Sequence, residues 1–292
     1  MDDYKMENVR PTVSICCITY NHAPYIRSAL DGFLMQETDF AYEILIHDDA
    51  STDGTADIIR EYTARYPDII KPILREENQY SKGISNISIF NFPRARGEFI
   101  AMCEGDDYWT DRYKLQRQVD FMEAHPDCSL VFHSARIEVQ GRALTEKRMR
   151  PYRKSRQVSP KEMIDKTSGY PTASLMFRTD MVKKLPDFYI KAPLADIPLQ
   201  LMAAARGWAY YMDRPMCVYR LGGSSSWTTW MKQGDYEKKQ EQYFQEMKKM
   251  YQSFDRETGG RFHKEAQRAA ARIRFLTKVN TRKYEEVLAK KN

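Results

Sequence analysis

Short apolar runs alternate with amphipathic segments over the first 125 residues, and this alternation leaves few folds open. Residues 12–20 (TVSICCITY) read as a buried strand. Pro24 suits the first turn of a helix that lines up Ile26, Leu30, Phe33 and Leu34 on one face. Residues 42–47 (YEILIH) give a second strand, followed by the turn Ser51-Thr52-Asp53-Gly54 and a helix bearing Ile58, Ile59 and Tyr62. A third strand covers residues 69–74, and a fourth begins at Phe99. Repeated β-α-β units predict an α/β fold, an open and mostly parallel sheet with helices on both faces. Sheets of that kind bind ligands in the crevice beyond the carboxyl ends of their strands.

Polar groups gather where that rule puts a site. The first strand ends in Thr19-Tyr20-Asn21 and the second in Asp48-Asp49. The fourth, in GEFIAMCEGDDYW, runs into Glu104, Asp106 and Asp107. Three acids at one strand tip repel one another unless a hard cation sits among them. Mg2+ and Mn2+ take oxygen ligands and share them with substrate phosphates. The competing explanation is acids decorating a helix start, with Thr110 capping the helix of Leu115, Val119 and Met122. Polar clusters at three separate tips favour a nucleotide-plus-metal site. Neither GxGxxG after the first strand nor GxxxxGK[ST] anywhere is present, which argues against dehydrogenase and P-loop chemistry.

The 292 residues allow one large domain plus an appendage, or two small domains. The five cysteines, Cys16, Cys17, Cys103, Cys128 and Cys217, mostly lie in apolar runs without metal-ligand spacing, so reduced thiols and a cytoplasmic setting are expected. The acidic start MDDYKMENVRPT lacks the apolar core of a secretory signal, and no run reaches the ~18 apolar residues of a membrane span. A soluble protein, or one peripheral to the inner face of the membrane, is expected. Net charge is +6, but residues 231–292 hold 16 Lys/Arg against 9 Asp/Glu, leaving the rest near neutral. No basic motif with interleaved aromatics suggests nucleic-acid binding.

The segments VSICCITYNHAPYI, EILIHDDASTDGT, ARGEFIAMCEGDDYW and LADIPLQLMAAARGWAYYMDRPMCVYR together resemble an inverting family 2 glycosyltransferase of the GT-A fold. The resemblance implies a GT-A domain over residues 10–230, with a donor half at about 10–125 and an acceptor half at about 126–230, followed by a basic helical extension at 231–292. It implies that Thr19, Tyr20 and Asn21 border the base and ribose of a nucleotide-sugar donor. Asp49 would accept a hydrogen bond from the base, with Asp48 beside it. Asp106, helped by Asp107, would hold the Mn2+ or Mg2+ that bridges the donor diphosphate, and Glu104 would lie near ribose and phosphate. Asp196 in ADIPLQL would be the base that activates the acceptor hydroxyl; its alternative is a cap for a helix beginning at Pro198.

Three positions depart from the family pattern. Glu104 stands where Asp is common, Gly222 where relatives often carry a histidine that helps hold the metal, and Ala195 where the first of two acids is usual. Arg220 is a candidate to neutralise phosphate charge, and the Gly222–Ser226 loop to close over the donor. Lys82 and Arg75 lie where relatives contact base or phosphates. His22, His47, His125, His133 and His263 show no ligand spacing and are assigned no role. Trp227 and Trp230 are candidates to stack on an acceptor sugar, whereas Trp208 is expected to pack.

Residues 142–161 hold eight Lys/Arg and one acid, Glu146, and are expected to form a mobile basic loop between the halves, attracting an anionic acceptor or lying solvated. The tail reads as helices broken at Gly259-Gly260, with stripes Tyr243/Phe244/Met247/Tyr251 and Ile273/Phe275/Leu276/Val279 that pack on the domain, on a second subunit in a homodimer, or on a membrane surface. The reaction expected is transfer of a sugar from a UDP-type donor to a glycan or lipid-linked acceptor in cell-surface polysaccharide assembly. The alternatives are a non-catalytic nucleotide-sugar-binding regulatory or scaffold protein, and a nucleotidyltransferase, which would favour a glycine-rich phosphate loop that is not visible.

Overall fold

The apolar runs of the amino-terminal half become strands, and the amphipathic segments between them become helices on the sheet's two faces. The computed structural model describes residues 10–83, 85–139, 145–166, 169–223 and 227–283. Among these, β1 (Val13–Thr19), β2 (Tyr42–Asp48), β3 (Ile70–Leu74), β4 (Phe99–Met102), β5 (Tyr108–Trp109), β6 (Cys128–Val139), β7 (Thr145–Met149), β8 (Arg156–Val158), β9 (Met176–Arg178) and β10 (Trp208–Leu221) share one sheet. Its order is β3-β2-β1-β4-β9-β6-β10-β5, with β7 on β6 and β8 on β10. Pairing is parallel from β3 to β4 and turns antiparallel at β9. The helices are α1 (Ile26–Leu34), α2 (Thr55–Arg65), α3 (Lys114–Ala124), α4 (Pro160–Asp165), α5 (Asp187–Ile190), α6 (Asp196–Arg206), α7 (Trp227–Lys232), α8 (Tyr236–Glu257) and α9 (His263–Asn280).

Successive side chains of a strand point to opposite faces, and β1 feeds two cores accordingly. Val13, Ile15 and Cys17 pack with Ile26, Leu30 and Phe33 of α1. Cys16 belongs to the opposite core, which includes Leu199 and Met202 of α6 and Met247, Tyr251 and Phe254 of α8. The carboxyl-terminal helices thus complete one face of the sheet. All five cysteines are free and buried.

Several expectations are revised. The basic segment is not a mobile loop: Thr145–Met149 pairs with β6, Arg156–Val158 pairs with β10, and Arg150 pairs with Asp213, while residues 140–144 lie outside the described residues. The long β6 and β10 offer backbone partners that local charge patterning does not reveal. Thr110 does not cap the helix, because α3 starts only at Lys114, with Tyr113 as its N-cap and no side-chain cap bond. The second tail stripe is divided: Ile273 packs on the core, but Phe275 and Leu276 are exposed.

Candidate active site

Because β2, β1 and β4 are adjacent and parallel, their polar tips fall side by side, with Thr19 opposite Asp48 and Cys16 opposite Met102. The loops leaving β1 and β2 are laced together. Asn21 takes a left-handed conformation (φ 53°), which asparagine tolerates, and its Oδ1 accepts from Thr52 N at 2.8 Å. The Asn21, His22 and Ala23 amides donate to Ser51 Oγ, Thr55 Oγ1 and Asp53 Oδ2 at 2.8, 2.9 and 3.0 Å. The Ser-Thr-Asp-Gly turn therefore shapes the first loop.

Asp48 is buried, accepts from Ser51 N (3.1 Å) and Ser51 Oγ (2.5 Å), and burial raises its pKa. Asp49 accepts from the Gln79 and Tyr80 amides at 2.7 and 3.0 Å, one on each oxygen, so it fastens the segment after β3 across the pocket. Each oxygen keeps a lone pair for a ligand. Thr19 is buried with no partner on Oγ1, whereas Tyr20 is 41% exposed at the crevice lip.

The acids after β4 have unequal surroundings. Asp107 is buried and accepts from Arg220 N at 2.8 Å; burial, then Asp106, pushes its pKa well up. Glu104 is raised to about 8 by burial, with Asp106 and Asp196 adding to it. Asp106 keeps a buried Oδ1 without any hydrogen-bond partner, and its Oδ2 lies 4.0 Å from His22 Nε2. Burial outweighs the pull of Asp106 on His22 and lowers its pKa.

Glu104 makes stability depend on pH. It holds its proton more tightly in the fold than in the unfolded chain, so its contribution is complete below the unfolded value and is lost as pH rises through about 8. In urea unfolding without metal or nucleotide, Glu104→Gln is expected to gain on the wild type steadily from pH 5 to pH 8. A stability gap that stays constant over that range would refute this assignment.

Asp196 is the first residue of α6. It does not cap a helix beginning at Pro198: the N-cap is Ala195, no side-chain cap bond forms, and Oδ1 accepts from the neighbouring Ile197 amide at 2.8 Å. Burial raises its pKa, and its charge raises Glu104, Tyr189 and Tyr243 in turn. Asp196 and the β4 acids therefore share one electrostatic neighbourhood, bordered by α8 through Tyr243. That helix's part in the site was not legible, since its aromatics read only as a packing stripe.

Arg220 is committed to the protein. Its Nε donates to Glu138 Oε1 (2.9 Å), its Nη1 to the Asp106 carbonyl (3.0 Å), and its guanidinium stacks on Tyr108. It props the acidic turn from behind rather than standing free for phosphate. Lys82 is exposed and pairs with Glu77. Arg75 stacks on Phe90, which stacks on His47. Trp208 is half-buried and donates to Asp127, Trp227 leans on Tyr243, and Trp230 is half exposed beneath Lys239. Of the Gly222–Ser226 loop, residues 224–226 lie outside the described residues.

No group of three His, Cys, Asp or Glu among the described residues makes a ready metal cage. The site still fits a divalent ion. Mg2+-type ions are held by one or two carboxylates plus substrate phosphates, and Asp106 offers an oxygen that no protein group satisfies.

Residues 14–185 match a family model described as glycosyl transferase family 2. A Mycobacterium tuberculosis protein is 50% identical over 125 residues, 43% of this chain and 35% of its own length. The UDP-Glc:alpha-D-GlcNAc-diphosphoundecaprenol beta-1,3-glucosyltransferase WfaP of Escherichia coli is 36% identical over 111 residues, 38% of this chain and 41% of its own. The chain thus spans about a third to two fifths of these relatives' length. Among solved structures, S. aureus TarS 1–349 with UDP-GlcNAc superposes with a TM-score of 0.59 at 17% identity, covering 93% of this chain and 92% of that one. The mannosyltransferase PcManGT of Pyrobaculum calidifontis, with GDP-Man and Mn2+, gives 0.58 at 20% identity, covering 94% and 76%. At such identities these two likenesses are of fold.

Proposed function

This chain belongs to glycosyltransferase family 2 and has the GT-A fold, and on that footing we propose that it moves a sugar from a nucleotide-diphosphate donor, a UDP-sugar by preference, onto a glycan or lipid-linked acceptor with inversion. One observation carries the reading: the adjacent tips of β2, β1 and β4 bring Asp48, Asp49, Glu104, Asp106 and Asp107 to one crevice, where Asp106 presents an unsatisfied oxygen. The E. coli relative's name, with its UDP-Glc donor and diphosphoundecaprenol acceptor, supports a UDP-sugar and a lipid-linked acceptor in surface polysaccharide assembly. Buried free thiols and the absence, among the described residues, of any helix long and apolar enough to cross a membrane are consistent with action on the cytoplasmic side.

In this reading Asp49 and the segment it anchors border the base, with Thr19, Tyr20 and Asn21 around the ribose. Asp106, with Asp107 behind it, holds the divalent ion, which supplies Lewis-acid neutralisation of the leaving diphosphate when bound. Glu104 presents a carboxylic acid to the ribose or phosphate side; the protonated form, favoured by its raised pKa, donates a hydrogen bond to an oxygen and avoids repelling the diphosphate. Asp196, its pKa raised by burial, takes the acceptor hydroxyl's proton as the bond to the donor breaks.

The reading is tested by thermal unfolding with UDP, GDP, UDP-glucose and UDP-GlcNAc, each with and without Mn2+. UDP with Mn2+ at a hundredfold excess over its Kd adds about 2.7 kcal/mol and raises Tm by several degrees, more than UDP alone. No shift with any nucleotide would end the proposal. Metal-dependent UDP release separates an enzyme from a non-catalytic binder. Phe275 and Leu276 on α9, flanked by Arg272 and Arg274, are the surface to examine for anionic-membrane contact or a homodimer; absence of flotation with anionic vesicles would remove the membrane.

A further inference from the structure

We propose that His22 completes the metal grip: its Nε2 and the Asp106 carboxylate form a two-residue clamp that gives the divalent cation a nitrogen ligand. This rests on the metal–diphosphate reading of the same crevice. The spacing is the first argument. His22 Nε2 lies 4.0 Å from Asp106 Oδ2, too far for a hydrogen bond and wide for adjacent ligands of one ion, but close to the roughly 4.2 Å that separates two ligands on opposite sides of an ion with bonds of about 2.1 Å each.

Burial is the second. His22 is 7% exposed with Nε2 turned toward Asp106, and the Asp106 carboxylate has a buried Oδ1 with no hydrogen-bond partner. A buried carboxylate oxygen is rarely left unpaired, so Asp106, the carboxylate that His22 Nε2 faces, calls for a group that the protein itself does not supply. The third argument is rigidity. The His22 amide donates to Thr55 Oγ1 (2.9 Å) and its carbonyl accepts from the Tyr25 and Ile26 amides (2.8 Å each), while Asn21 just before it is locked in a left-handed turn. On the other side, a Cβ at Gly105 would meet Thr19 Oγ1 at 2.8 Å and His22 Nδ1 at 3.0 Å, so the turn carrying Asp106 sits flush against the imidazole. A ligand pair preset in this way needs little reorganisation to bind.

Such a clamp changes which ions bind. Imidazole nitrogen favours Co2+, Ni2+ and Zn2+ over Mg2+ more than an all-oxygen site does. The test is pulsed electron paramagnetic resonance of Mn2+ bound with UDP to full-length protein labelled with 15N-histidine, read beside Mn2+ and Co2+ affinities of wild type and His22→Gln. The expected result is a histidine-nitrogen coupling in the wild type that is lost in His22→Gln, with Mn2+ affinity falling at least about tenfold, the low end of what removing even an outer-shell partner costs. UDP binding without metal stays unchanged. Mn2+ bound with UDP but showing no nitrogen coupling would overturn the clamp and leave the metal–diphosphate reading standing. Failure of wild type to bind Mn2+ with UDP would overturn both. The wild-type coupling decides the matter even if the variant folds poorly.

Discussion

Replacing Asp196 by asparagine lowers sugar transfer by about 10²–10⁴-fold, the range that general-base catalysis supplies, and leaves metal-dependent UDP binding unchanged. The split follows from where Asp196 stands. Its Oδ1 accepts from the Ile197 amide, an interaction an asparagine oxygen reproduces, so helix α6 starts as before. What is lost is the basic oxygen. The raised pKa brings this carboxylate closer to the proton it must accept than a solvated aspartate would be. Removing its charge also relieves Glu104, so the variant is expected to be no less stable than the wild type near pH 7. The measurement is UDP release from UDP-glucose and UDP-GlcNAc with Mn2+, alongside thermal shift with UDP. Unchanged turnover in the variant would remove Asp196 from the chemistry.

Gly97→Ala is expected to be the most damaging small change in the donor half. A Cβ there would lie 2.5 Å from Ser14 N, 2.7 Å from Val13 C and 2.9 Å from Phe99 O. These are backbone atoms of β1 and β4, which cannot swing aside, so the strands must part. The cost is expected at or beyond the top of the ~1–3 kcal/mol typical of overpacking. The same step disturbs the Gly97 amide bond to Ser14 Oγ (2.9 Å), part of the network that satisfies buried Glu43 through Ser14 and Arg96. Gly54→Ala is the control: φ is 93° but nothing lies within 4 Å of its Cβ, so only the left-handed backbone cost of about 1–2 kcal/mol remains. Urea midpoints rank the variants; a Gly97→Ala midpoint at or above that of Gly54→Ala would contradict the account. Since the β1–β4 register aligns the acidic tips, Gly97→Ala should also weaken the Mn2+–UDP shift.

Much of this architecture was legible because it is written in local patterns. TVSICCITY, YEILIH and the run from Phe99 announce strands through buried apolar residues, and β-α-β alternation implies parallel neighbours with their tips together. The acids after Met102 were visible as chemistry because three carboxylates at one tip need a reason. The basic segment misled because charge density marks solubility but not strand pairing, which the edges of β6 and β10 decided. Arg220 looked available because its partners Glu138 and Asp106 are 82 and 114 residues away.

The sequence by itself determined the strands β1 to β4, their alternation with helices, and the acids at their tips, since side-chain periodicity and turn chemistry act over a few residues. Only the tertiary structure decided that His22 faces Asp106, that Asp49 fastens the Gln79–Tyr80 backbone, and that Tyr243 of the tail borders Asp196. Each of those meetings joins segments at least thirty residues apart. Sheet order and the packing of two cores bring them together, and no short-range pattern encodes that distance.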